Sequence, residues 1–364
     1  MSKKEQITEL TPDEIEAEKL RRRKRARRRT IGTVIDRIFG FILATVILIG
    51  VAGLGLEYVL IKGPSPALRD TFVYTMLDTR RFRFIPRIYL SDAEMQPYLE
   101  QKSAHVDAEF DPSLITIKPS DSDDEQSQEE SQYPEDEDGD GIIFENIKRG
   151  NYVGYLITIL DPTRVFVAIT DNFGVSGRSL DYYCEKYGAI GGINGGGFVD
   201  QDGSGSGGFP QGLTIADGVC YNEGYGASSF VGFDDQGIMH VGYYTSADAV
   251  SLNIVGGVSF DPILVMNGEA CDTSYKSTGV NPRTAIGQRA DGAILMLCVD
   301  GRQAHSAGCT YQDLADIMLE HGAVNAINMD GGSSSSMWYN GEYVNKCSSA
   351  AGFSRSLTDV FLFK

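Results

Sequence analysis

The sequence has little of what several large enzyme classes require. Its four histidines, His105, His240, His305 and His321, are scattered without ligand spacing, and no H-E-x-x-H occurs, so a zinc-hydrolase helix is excluded. A Walker loop is also absent. Despite abundant serine and glycine there is no G-x-S-x-G, which leaves a nucleophile elbow unsupported. No cysteine precedes Cys184, and the six from that position onward form no C-x-x-C, which argues against zinc ribbons and thioredoxin-type sites. Basic residues are the minority, 32 against 50 acidic, and the net charge of -18 speaks against a general nucleic-acid binder. Glycine is the residue in excess, at 42 of 364. Without a G-X-Y period, that excess signals tight turns rather than collagen.

The charge is divided between two very different stretches. Residues 1–37 carry twelve Lys/Arg against seven Asp/Glu, and residues 62–364 carry twenty against forty-two. The basic run Arg21-Arg22-Arg23-Lys24-Arg25 lies just before an uncharged segment, residues 38–56. Nineteen helical residues span roughly 28 Å, close to the ~30 Å hydrocarbon thickness of a bilayer. With no polar face, this segment reads as a single transmembrane helix over 38–61 and not as a core helix. A cleaved signal peptide is the rival, although its apolar stretch is normally shorter. By the positive-inside rule the tail 1–37 is expected in the cytoplasm and everything after Lys62 outside the cell membrane. In that setting six thiols permit fifteen complete pairings, and the sequence does not choose among them.

Residues 62–118 read as a stalk or lead-in, with Ser91 and Glu94 spaced as a capping box. Residues 119–149 read as an acidic disordered linker, because 121–140 holds eleven acidic groups and no basic residue lies between Lys118 and Lys148. Asp136-x-Asp138-x-Asp140-Gly141 matches the front of a calcium loop, but Ile147 stands where the bidentate Glu is required.

The compact domain is expected over 150–364. Residues 155–160 and 165–169 have strand patterns. The apolar run 293–299 ends at Asp300-Gly301, and Thr310 caps a helix whose Leu314, Ile317 and Met318 share a face. A second apolar strand, 323–329, ends at Asp330-Gly331-Gly332. Chemistry is therefore expected in loops at strand ends. The fold class follows: α/β or α+β, a mixed β-sheet core with helices, Gly-rich active-site loops at strand ends, and one N-terminal transmembrane helix.

Three loops carry candidate chemistry. Gly191-Gly192-Ile193-Asn194-Gly195-Gly196-Gly197-Phe198 brings backbone amides close to a ligand. Asn281-Pro282-Arg283-Thr284 offers the planar donor fork of Arg283 to a phosphate. Asn328-Met329-Asp330-Gly331-Gly332-Ser333 sets a carboxylate among small hydrogen-bonding groups, and Asp300-Gly301-Arg302 supplies a second carboxylate and a second cation. His305 is a secondary candidate beside that turn.

Together these four segments, in this order and with the amphipathic helix between the last two, resemble the phosphodiester glycosidase family. Two departures stand out. Gly197-Phe198 takes the place of a doubled aromatic, and Ser354-Arg355-Ser356-Leu357 lacks the usual Arg-Pro pair. The resemblance implies a hydrolase that removes a sugar such as N-acetylglucosamine from a sugar-1-phosphodiester, in cell-wall or exopolysaccharide metabolism. Asp330 is then expected as nucleophile or general base and Asp300 as its partner, with the roles open to exchange. Arg283, Arg302 and Arg355 are expected to hold phosphate, assisted by Thr284, Ser333 and the amides of Gly195, Gly196, Gly331 and Gly332. Asn194 and Asn328 are expected to orient sugar hydroxyls. No cofactor is implied, and a divalent cation stays open. The expected partners are a phosphorylated glycan and the membrane, with no nucleic acid. A surface protein that binds phosphorylated glycans without cleaving them, and a phosphodiesterase that breaks P–O, are the alternatives.

Overall fold

The computed structural model describes residues 12–78, 82–99, 109–117, 133–199, 205–274, 276, 279–349 and 354–364. The chain separates into two compact units, Met1–Pro64 and Ser65–Lys364. In the first, α1 (Pro12–Lys62) is one helix, and its stretch Arg37–Lys62 is long and apolar enough to cross a membrane.

The second unit begins with α2 (Pro66–Asp78), α3 (Ile85–Tyr89) and α4 (Asp92–Leu99). The Ser91–Glu94 capping box forms as expected, the Ser91 N–H donating to Glu94 Oε2 at 2.8 Å. The lead-in is not a free stalk. Val280 N–H donates to Thr75 Oγ1 and Thr116 N–H to the Ala290 carbonyl, which ties this region to the sheets.

The remaining elements in chain order are β1 (Ile142–Arg149), β2 (Tyr152–Ile159), β3 (Val165–Ile169), α5 (Leu180–Tyr187), β4 (Gly191–Asn194), β5 (Thr214–Ala216), β6 (Val219–Asn222), β7 (Ser228–Asp234), β8 (Met239–Tyr244), α6 (Ser246–Ser251), β9 (Ile254–Ser259), β10 (Ile263–Met266), β11 (Glu269–Ala270), β12 (Arg283–Arg289), β13 (Ile294–Val299), α7 (Tyr311–Glu320), β14 (Ala323–Met329), β15 (Met337–Tyr339), β16 (Glu342–Tyr343) and β17 (Asp359–Phe363). The sheet domain starts earlier than the sequence suggests. β1 lies in the stretch read as linker, yet it pairs with β2 along its whole length and buries Ile142 and Ile147. Those two apolar side chains outweigh the acidic composition before them. Residues 118–132, which hold six of the eleven acidic groups, lie outside the described residues.

Three sheets form, ordered β1-β2-β13-β12-β14-β10-β11, β16-β15-β4-β17-β3 and β6-β5-β9-β7-β8, and among the described residues every strand pairing is antiparallel. The fold is thus α+β in character. One core is shared by all three sheets: Met296, Ile286 and Ile327 from the first meet Ile193 and Phe361 from the second and Val231 and Val258 from the third. The other face of the seven-stranded sheet is closed by α7, whose Leu314, Ile317 and Met318 pack on Leu295, Leu297 and Ala326. Each such buried side chain stabilises by about 1.5–3 kcal/mol. Covered on both faces, β12, β13 and β14 are wholly buried, which explains the continuous apolar run of β13.

The succession β13–α7–β14 appears as expected from sequence, with one addition. β12 inserts between the two strands and runs antiparallel to both, so β13 and β14 point the same way. Their C-terminal turns therefore emerge at one end of the sheet.

Candidate active site

The register Arg283↔Val299 and Thr284↔Met329 aligns the start of β12 with the ends of β13 and β14. Asp300 and Asp330 follow directly on those two strand ends. Asn194, at the end of β4, is buried where the elements meet. Its Nδ2 donates to the Asp330 carbonyl at 2.7 Å, and its Oδ1 accepts from Thr284 Oγ1 at 2.7 Å and Ser336 N–H at 3.1 Å. Both amide ends are thus used inside the protein. Asn194 and Thr284 fix the turn that presents Asp330, and this replaces the substrate contacts expected of them.

Asp330 is half-buried. Its N–H donates to the Gly195 carbonyl, and its Oδ1 accepts from Gly331 N–H at 3.0 Å. Gly195 N–H in turn donates to the Asp359 carbonyl. The Asp359 side chain is enclosed: Oδ1 accepts from Gly196 N–H at 2.6 Å, while Oδ2 has no partner among the described residues. A Cβ on Gly195 would collide with Asp359 Oδ1, so glycine is required here for close approach. Burial pushes the Asp359 carboxyl up to about 7, the Asp330 charge adds to the rise, and the Gly196 N–H opposes it. Sequence reasoning missed Asp359. The signal was an acidic residue opening the apolar strand Val360-Phe361-Leu362-Phe363, where a charge has no ordinary place.

Asp300 has a different environment. Its side chain is fully enclosed, with Oδ2 at 2.9 Å from His305 Nε2 and Oδ1 accepting Lys346 N–H at 2.8 Å. Burial, and then the Asp300 charge, push the neighbouring Tyr155 hydroxyl up to about 12. His305 is one-third exposed. Asp300 is therefore closed to a substrate and reaches outward only through His305.

The three arginines divide. Arg283 is buried, with Nε donating to the Cys309 carbonyl at 2.9 Å, Nη2 to the Gly279 carbonyl at 2.8 Å, and its guanidinium 3.6 Å from the Tyr311 ring centre. Strand alternation puts it on the face of Ala285 and α7, opposite Thr284. It does not present its fork to a phosphate. Arg302 is exposed and holds a left-handed backbone, φ 57°, which is costly for a side-chain-bearing residue and is characteristic of functional turns. Its Nη2 donates to Asn281 Oδ1 at 2.8 Å, and its Nη1 lies 3.1 Å from where a Cβ on Gly332 would stand. The guanidinium thus lies over the turn that follows Asp330. Arg355 sits 4.9 Å from the centre of the Phe198 ring, at the end of the glycine loop.

The glycine amides expected to cradle phosphate are committed internally. Gly195 and Gly196 donate to Asp359, Gly331 to Asp330, and Gly332 to the Pro282 carbonyl. Asn328 Nδ2 donates to the Asp261 carbonyl, and its buried Oδ1 has no partner among the described residues. Ser333 is half-buried in the short 3-10 turn Gly332–Ser334. The calcium-like carboxylates Asp136, Asp138 and Asp140 approach within 4.8 Å of one another, but two are exposed and Ile147 is a buried strand residue.

Residues 187–364 match the family model described as phosphodiester glycosidase. The SPbeta prophage-derived uncharacterized protein YomE of Bacillus subtilis is 36% identical over 174 residues, 44% of this chain and 27% of that protein. The N-acetylglucosamine-1-phosphodiester alpha-N-acetylglucosaminidase of Bos taurus is 39% identical over 62 residues, 17% of this chain and 12% of that protein. The chain thus spans about a quarter or less of the length of these curated relatives. The zebrafish catalytic domain of the same name, auto-inhibited by its pro-peptide, shares the fold: TM-score 0.52 at 21% identity, covering 61% of this chain and 81% of that one.

Proposed function

We propose that this chain, whose residues 187–364 match the family model described as phosphodiester glycosidase, hydrolyses the bond between a sugar's anomeric carbon and a phosphodiester. The observation that carries the reading is the half-buried Asp330 with the Arg302 guanidinium lying over the adjoining Gly332 turn. A carboxylate beside a cation is what this reaction asks for. The departing phosphate monoester is a weak base, so leaving-group protonation matters less than in ordinary glycosides. Charge stabilisation of the oxocarbenium-like sugar and of the phosphate matters more.

In this mechanism Asp330 attacks the anomeric carbon or activates the water that does. Arg302 and Arg355 take the phosphate, a task that falls to them because Arg283 is committed to backbone carbonyls. Asp300 acts at one remove by holding His305, whose exposed edge faces outward for proton transfer. Asn194 and Thr284 keep the Asp330 turn in place, and Ser333 is available to the sugar.

The apolar stretch Arg37–Lys62 serves as a single-pass anchor, with the basic tail in the cytoplasm and the catalytic domain at the outer face of the membrane. Substrates are then phosphorylated glycans of the cell wall or exopolysaccharide. The strongly acidic surface repels such anions at long range, and salt screens this beyond about 8–10 Å. Local cations at Arg302 and Arg355 act inside that range.

Turnover of UDP-N-acetylglucosamine in ¹⁸O-water tests the reading. Label in the sugar supports it. Label in phosphate would mean P–O cleavage, and binding without label would mean a glycan-binding protein.

A further inference from the structure

We propose that Asp359 holds a proton beside Asp330, so that the site presents one negative charge rather than two to an anionic substrate. This rests on the reading of Asp330 as the reacting carboxylate. Asp359 is itself a positioning residue, since it acts through Asp330 and the glycine loop.

The geometry has three parts. The carboxyl is enclosed, and an ionised carboxylate without compensation is strongly disfavoured in such a place. One oxygen receives a single backbone N–H from Gly196, and the other is buried with no partner among the described residues. With no donor on the second oxygen, the ionised form lacks the compensation a buried charge needs, and the neutral acid is the less costly form to enclose there. Thirdly, Gly195 links the two residues directly, accepting from Asp330 N–H and donating to the Asp359 carbonyl. Two carboxylates in one low-dielectric site do not both ionise readily, and the more deeply buried one keeps the proton.

The groups facing Asp359 are few. Asp330 comes from the β14 turn, and the Gly195 and Gly196 amides come from the β4 loop. From α5 comes the Tyr183 hydroxyl, whose one hydrogen is shared between the Leu357 and Thr358 carbonyls and which burial holds well above its ordinary range. β3 contributes Ile169 as the pairing residue and β9 the backbone of Ser259 against Gly196.

A phosphodiester carries one negative charge. Facing Asp330 alone, that charge is offset by Arg302 and Arg355. A second ionised carboxylate would tip the balance against binding, and the effect would fall on KM.

Infrared titration of the full chain in detergent reads the proton without needing any substrate. A protonated carboxyl C=O band should persist to about pH 7, vanish in Asp359→Asn, and titrate at lower pH in Asp330→Asn, where the neighbouring charge is gone. On UDP-N-acetylglucosamine, KM of the wild type should rise about tenfold across the same titration while that of Asp359→Asn stays flat. A purely structural Asp359 would instead lower turnover at every pH. The proposal is overturned if the wild type shows no such band above pH 5, if the band survives in Asp359→Asn, or if that variant keeps the KM rise. The Asp330→Asn titration decides the matter even if Asp359→Asn misfolds, and the band is read whether or not a sugar phosphodiester is cleaved.

Discussion

The turns after β13 and β14 look alike in sequence, each an apolar strand delivering Asp-Gly, yet their carboxylates meet different surroundings. Asp300 is walled in by His305, Lys346 N–H and Tyr155, and substrate cannot touch it. Asp330 stands half-buried, with a second carboxyl, Asp359, behind it and Arg302 reaching across from the Asp300 turn. In the proposed mechanism the same dipeptide thus serves chemistry in one place and support in the other. What decides is which chain segment packs over it: the 345–347 strap covers Asp300, while glycines leave Asp330 uncovered.

The comparison breaks most visibly at Asp330. Asp330→Asn should lower turnover about 10²–10⁴-fold with the fold intact, measured as kcat on a sugar-1-phosphodiester. Arg302→Ala removes the charge that bridges the two turns. It should cost about 10²–10³-fold in kcat/KM. Asp359 sharpens the contrast through stability. Its raised pKa means that its stabilising contribution is fully present below the ordinary aspartate range and is lost as pH rises through about 7. The wild type should therefore lose on the order of a few kcal/mol between pH 5 and pH 8.5 that Asp359→Asn keeps, readable in denaturant titrations at the two pH values. Arg283→Met tests the arginine that turned inward. Two charge-assisted bonds and the Tyr311 stack should cost about 1.5–3 kcal/mol of stability, with KM unchanged. Smallest are His305→Gln and Asp300→Asn, each lowering kcat by about tenfold. The double variant should be no slower than the slower single, because the two residues act as one unit.

Much of this arrangement is legible in the sequence. β13, α7 and β14 announce themselves through apolar runs and the Thr310 helix start, where the structure adds a capping box with Thr310 Oγ1 accepting Asp313 N–H at 3.1 Å. The glycine loops and both Asp-Gly turns stand where strand endings imply. Arg283 misleads because its motif neighbour Thr284 does face the site, and one step along a strand reverses the side chain. Asp359 stays hidden because its importance arises from enclosure by Gly195 and Gly196, more than 160 residues away in sequence. β1 escapes notice because the acidic run before it suggests a linker, although its hairpin partner β2 carries a strand pattern of its own. The role of Asn194 follows from three long-range hydrogen bonds that no local pattern encodes.

Rescue by a small anion separates the two carboxylates most directly. Truncating a residue that touches the anomeric carbon opens a space where azide can attack in its place. Turnover of UDP-N-acetylglucosamine by Asp330→Ala should recover with sodium azide and yield glycosyl azide, while Asp300→Ala should gain nothing. Glycosyl azide formed by Asp300→Ala and not by Asp330→Ala would contradict the account.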